Sequence, residues 1–92
     1  MSGVNKPSMS FHVYILQCSD GSFYTGYTKD LQQRIRQHEN GKGAKYTKAH
    51  RPQKVAYVEL FGTRSAAMKR EREIKKLNHQ QKISLITSKT KK

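Results

Sequence analysis

The apolar residues of this chain fall into four clusters, at 11–16, 55–61, 66–77 and 83–86, each with its own spacing. The first is rich in β-formers and apolar on both faces, which predicts a strand over 11–18 that is central in its sheet. Ser19-Asp20-Gly21 is a turn signal, and 22–27 resumes as a second strand. Two registers are open to this hairpin. A two-residue loop pairs Ser19 with Ser22 and puts Tyr14 and Tyr24 on opposite faces. A three-residue loop with Gly21 left-handed pairs Cys18 with Ser22 and puts both tyrosines on one face. A shared tyrosine site requires the second register, which is the one expected.

Asp30 is placed to cap a helix that runs to about Asn40, with Gly41 as its stop and Leu31 and Ile35 as its apolar anchors. Arg34 and His38 are four residues apart, so they project together beside that stripe. Segment 41–51 reads as a flexible cationic loop, ended by Pro52, and 53–61 as the third strand. A longer helix starts near Ser65. At about 100° per residue it places Ala67, Met68 and Ile74 on one side with Glu71 among them, while Glu73 points almost the opposite way. A short helix takes in 83–86. The expected fold is α/β: a small three-stranded, mainly antiparallel sheet flanked by helices, in the order β-β-α-β-α-α. Residues 11–86 form one domain, between a polar N-terminal tail at 1–10 and a basic C-terminal tail at 87–92.

Ninety-two residues with 34% hydrophobic content support one modest core and no second one. No apolar run approaches the length of a membrane helix, and the N-terminus lacks the apolar core of a signal peptide, so the expectation is a soluble, cytoplasmic protein. A single cysteine, Cys18, excludes an intrachain disulfide and reads either as a reactive thiol or as a small buried filler. Charge changes the picture most. Nineteen Lys and Arg against six Asp and Glu give a net charge of +13, a field that draws in polyanions. Nucleic acid is the expected partner, and no segment pairs a basic face with the broad apolar one a membrane surface needs.

Within that basic domain a few residues carry chemistry. Arg34 has the fork to hold phosphate oxygens and offset charge at phosphorus. Glu71, a carboxylate on an otherwise apolar helix face, can hold one hard divalent cation. Tyr14 or His38, with Tyr24 nearby, can handle the proton of an attacking water; free tyrosine titrates near ~10, so Tyr14 as a base requires its phenolate to be favoured by Arg34 and the metal. The bland readings are a surface arginine, a salt-bridged glutamate and two tyrosines that merely pack the sheet. Lys42, Lys45, Lys48 and Arg51, with Tyr46 among them, are the expected nucleic-acid contacts, gripping backbone without reading sequence. His12, His50 and His79 lack metal-ligand spacing.

The ordered set Val13-Tyr14-Ile15, Tyr24-Thr25-Gly26, Arg34, His38 and a helical Glu71 resembles the GIY-YIG nucleases over nearly all of 11–86. The chain is most similar to their small stand-alone bacterial members, through GKGAKYT at 41–47 and the RSAA…KRE…IKKL pattern of 64–77. Val13 stands where the family name has Gly, and Tyr27 where excision-repair relatives carry Lys. The resemblance implies a metal-dependent endonuclease that hydrolyses phosphodiester bonds in DNA, structured DNA or RNA. Tyr14, Tyr24, Arg34, His38 and Glu71 would be its catalytic residues, with Glu71 the ligand of Mg²⁺ or Mn²⁺. Repair, recombination and nucleic-acid turnover all fit such an activity, alone or with a protein partner. The alternative is a non-catalytic basic module that binds nucleic acid or the ribosome.

Overall fold

The computed structural model describes residues 10–43 and 45–90. The elements are β1 (Phe11–Cys18), β2 (Phe23–Thr28), α1 (Leu31–Glu39), α2 (Lys45–Ala49), β3 (Pro52–Phe61), α3 (Arg64–Lys75) and α4 (His79–Thr90). The strands form one antiparallel sheet in the order β2-β1-β3, so β1 is central as its pattern requires. The order β-β-α-β-α-α holds, with one short helix added between α1 and β3.

The hairpin takes the three-residue loop. Gly21 has φ +87°, the Cys18 amide donates to Ser22 O at 2.8 Å, and Asp20 Oδ1 accepts from the Ser22 amide at 3.0 Å. A side chain at that φ would be strained, which is why glycine serves there. The resulting register sets Tyr14 opposite Gly26 and Leu16 opposite Tyr24, so both tyrosines share a face. Val13 and Ile15 point the other way. They form the core with Tyr57, Ala67 and Ile74, and Phe11, Phe23, Phe61, Leu85 and Ile86 pack around them. Burying each of Val13, Ile15 and Ile74 contributes about 1.5–3 kcal/mol.

Helix α3 covers this core face, lying chiefly against β2 and β1. Thr63 caps it by accepting from the Ala66 amide at 3.1 Å. Arg70 then ties it to β3, with Nε 2.9 Å from Glu59 Oε1 and Nη2 3.2 Å from Oε2; Tyr57 donates to the same carboxylate. On the tyrosine face lies α1, capped by Asp30, which accepts from the Gln33 amide at 3.1 Å. It ends at Asn40 and Gly41, the latter at φ +74°.

Three expectations change. The segment read as a flexible cationic loop contains α2, five residues long, because Thr47 has a buried partner to dock against. The last helix is not short: Asn78 and Gln81 cap each other's amides at 2.8 and 2.9 Å, and α4 continues through Thr90, into the part read as a tail. And the buried residue of α1 is His38, while Leu31 and Ile35 are only half-buried. The N-terminal tail, Ser10 apart, and residues 91–92 lie outside the described residues. No described helix is long and apolar enough to cross a membrane.

Candidate active site

Tyr14 lies across Gly26. A Cβ at position 26 would stand 2.7 Å from Tyr14 Oη and 3.1 Å from the Tyr24 ring, so the glycine of the second motif is there to let the tyrosines in. The Tyr14 side chain is fully buried, and Oη is 3.0 Å from His38 Nε2. His38 is itself 1% exposed, and its Nδ1 is 2.7 Å from Thr47 Oγ1, also buried. Its ring lies so close over Gly43 that a Cβ there would meet Nδ1 at 2.1 Å. Tyr14, His38 and Thr47 therefore form one buried hydrogen-bonded chain across β1, α1 and α2. Both imidazole tautomers satisfy its contacts. The one with hydrogen on Nδ1 donates to Thr47 and leaves Nε2 to accept from the Tyr14 hydroxyl.

The electrostatics assign the two groups different states. Burial pushes the Tyr14 hydroxyl up to about 12, aided by Tyr24 and by the carboxylate of Glu71, while the Arg34 guanidinium pulls the other way. The expectation that Arg34 would favour the phenolate is thus met in sign and outweighed in size: desolvation wins, and Tyr14 is a phenol at neutral pH. His38 is pushed below its ordinary 6.5, by burial first and by Arg34 second, so it is neutral and able to accept. Arg34 is half-buried and steadied by Gln37, whose Oε1 accepts from Nη1 at 2.9 Å.

Tyr24 fills the space beside this chain, its ring centroid 6.3 Å from Tyr14 and 5.1 Å from His38. Tyr46 stacks with Tyr24 at 6.1 Å and with His50 at 4.1 Å. His50 Nδ1 in turn donates to Asp20 at 2.6 Å, and the Ser19 amide donates to Arg51 O at 2.9 Å, which ties the hairpin tip to the end of α2. Glu71 approaches from α3. Its side chain is 19% exposed against 51% for Glu73, as the helical stripe predicts, and it is paired with exposed Lys75 at 3.3 Å. Lys42, Lys45, Lys48 and Arg51 are all exposed; Lys48 and Arg51 border a depression that also includes His38, Gly41 and Thr47.

Two residues of the site were not read from the sequence. Thr47 sits between two lysines, nine positions from the histidine it holds, and Gly43 reads as one more loop glycine. Their only signal is the compact 41–47 segment itself. Cys18 is 1% exposed, and burial raises its thiol above the ordinary value, so it acts as a filler. Among the described residues no group of three or more His, Cys, Asp or Glu could hold a metal, which leaves Glu71 as a single-carboxylate candidate.

The GIY-YIG catalytic domain matches residues 10–84. A UPF0213 protein of Staphylococcus saprophyticus is 54% identical over 83% of this chain and 93% of its own length, and one of Staphylococcus epidermidis is 55% identical over 80% and 90%. Two solution structures share the fold: a UPF0213 protein from Bacillus halodurans (43% identity, TM-score 0.59, 90% of this chain and 88% of that one) and a protein from E. faecalis (39%, 0.60, 100% and 95%).

Proposed function

The chain belongs to the GIY-YIG family, and from that premise we propose that it is an endonuclease that hydrolyses phosphodiester bonds in DNA, with Mg²⁺ or Mn²⁺ at Glu71. The observation that carries the reading is the 3.0 Å contact between Tyr14 Oη and His38 Nε2, in a pocket where the phenol is protonated and the imidazole neutral. Water gives its proton to Tyr14 Oη as the phenol passes its own to His38 Nε2. This ordering gives both groups a part: Tyr14 touches the water and His38 stores the proton. Thr47 orients the imidazole through Nδ1, and the tautomer with hydrogen there leaves Nε2 to accept. Arg34 binds the phosphate and offsets charge gained at phosphorus, a role that a low-dielectric wall strengthens. Tyr24 excludes water and keeps Tyr14 in place.

Glu71 fits a divalent cation by donor type and burial: a half-buried carboxylate suits a hard ion that keeps most of its own waters. When bound, the ion would supply positive charge for the phosphate and the leaving 3′ oxygen. Lys75, exposed and flexible, must swing away to admit it. That ion pair is also the observation favouring the second reading, a module that binds nucleic acid without cutting it.

The test is cleavage of end-labelled single-stranded, duplex, flapped and branched DNA, and of RNA, in Mg²⁺, Mn²⁺ and EDTA. Metal-dependent products with the parent, lost in Glu71→Ala, are expected. Binding to these substrates with no product in any metal would remove the nuclease and leave the binding module.

A further inference from the structure

A second cleft opens at the N-terminal end of α1, away from the lysine-bearing depression at its C-terminal end. It encloses about 470 Å³ and is bordered by Arg34 together with Phe11, Tyr27, Lys29 and Arg64. Neither Lys29 nor Arg64 is among the candidate catalytic or nucleic-acid-binding residues read from the sequence, and they come from different elements: Lys29 from the turn before α1, Arg64 from the first residue of α3. Both stand over the Phe11 ring, Lys29 Nζ 5.9 Å and Arg64 Cζ 5.3 Å from its centroid. Arg64 Nη1 also donates to Tyr27 Oη at 3.4 Å.

The partners of these cations matter more than their number. The ion pairs of the described residues all lie outside this cleft: Arg70 with Glu59 and Glu73, Lys75 with Glu71, His50 with Asp20. Among the described residues Lys29 and Arg64 are paired with no carboxylate. The one carboxylate bordering the cleft, Asp30, already accepts the Gln33 amide as the cap of α1. An aromatic face attracts a cation without neutralising it. Phe11 therefore holds a cation from each of two elements against its ring and leaves both charges available. Such an arrangement repels itself until an anion enters, and a polyanion that already has one phosphate at Arg34 would present its neighbour there.

We infer that this cleft is a second phosphate subsite, which takes a backbone phosphate flanking the one held at Arg34. The nucleic-acid strand would then lie along α1, gripped by Lys48 and Arg51 at one end and by Lys29 and Arg64 at the other. The inference rests on nucleic acid being the substrate, and it adds the path the strand follows.

The experiment measures binding of a fluorescent DNA duplex in EDTA across a KCl series, for the parent, the double variant Lys29→Gln/Arg64→Gln and the charge-keeping double variant Lys29→Arg/Arg64→Lys. Each phosphate contact on duplex DNA contributes about 0.9 to the slope of log affinity against log salt. The Gln pair should flatten the slope by about one, the share of the one phosphate the subsite holds, and the charge-keeping pair should restore it. A Gln pair that melts like the parent and keeps the parent slope overturns the subsite. Should the Gln pair not fold, Arg64→Gln alone, expected to lower the slope measurably and by no more than about one, decides the matter in the same way. A parent that binds DNA steeply but cuts nothing in any metal removes the nuclease and leaves the subsite to stand on its slopes. A parent that binds no nucleic acid removes both.

Discussion

On one side of β1, Val13 and Ile15 press against Ala67 and Ile74 of α3; on the other, Tyr14 lies over Gly26 and reaches His38. The two regions share a strand and nearly share residue numbers, yet they are held by different physics. The core side is non-directional: each aliphatic group contributes by area, and a neighbour of similar volume can substitute. The tyrosine side depends on hydrogen bonds at 3.0 and 2.7 Å and on two glycines that make room for rings. Stability and chemistry therefore occupy alternate positions of one strand, and a substitution at one position should leave its neighbour's property largely intact.

The sharpest way to break that separation is to exchange the two effects. Tyr14→Phe should lower cleavage by about 10²–10⁴-fold, the range for loss of a proton-transfer group, and cost about 1–3 kcal/mol because His38 Nε2 is left buried without its partner. Ile15→Ala should do the reverse: about 2–5 kcal/mol of stability lost, with the folded fraction cutting at the parent rate. Denaturant melts and initial rates on both variants decide it, and a dead but folded Ile15→Ala would show that the faces are coupled.

Gly43→Ala tests the tyrosine side from its far end. The new methyl must displace the His38 ring, so cleavage should fall about tenfold or more while the melting temperature moves by only a few degrees. A parent-like rate would mean that the ring has room to move without loss.

The pH dependence sharpens the comparison further, because the core has no titrating group to match His38. With its folded value below the ordinary 6.5, His38 is neutral above that pH and can accept a proton. As pH falls through the folded value the imidazole charges and ceases to accept, so cleavage should decline on an acid limb centred below 6.5. Stability should fall over the same side, since the unfolded chain binds that proton more readily than the folded one. A limb centred above 6.5 would assign the base elsewhere.

The smallest effect is expected at the rim. Neutralising Lys42, Lys45 and Lys48 should flatten the salt dependence of DNA binding by up to about 2–3 in slope and leave the melting temperature unmoved. An unchanged slope would take that segment off the contact surface.

What was legible in the sequence follows the same division. The turn could be read from Asp20-Gly21 and its register only by requiring both tyrosines on one face, while the place of Glu71 could be read because a helix repeats its faces. Helix α2 could not, since five residues carry no period, and Thr47 finds its partner across nine positions in a lysine-rich stretch. The end of α4 was missed because Thr87 to Thr90 adds no apolar position to the helix it extends. The state of Tyr14 was left open by the sequence for a different reason. A sequence displays the neighbouring Arg34 but not the desolvation that opposes it.

Helix α2 has one more consequence. Five residues are too few to hold a helix on their own, so Thr47 reaches His38 only while α2 is docked, against Tyr24 on one side and the hairpin tip on the other. The hairpin strands and α3 rest on the core, and of these only the hairpin tip bonds to the α2 segment. Amide exchange should therefore show the α2 protons leaving well ahead of those in β1, a local opening far less costly than global unfolding. In such an opened molecule the sheet and core would persist intact while the imidazole lost its orientation, so mild heat or denaturant should abolish the proposed cleavage before it unfolds the protein.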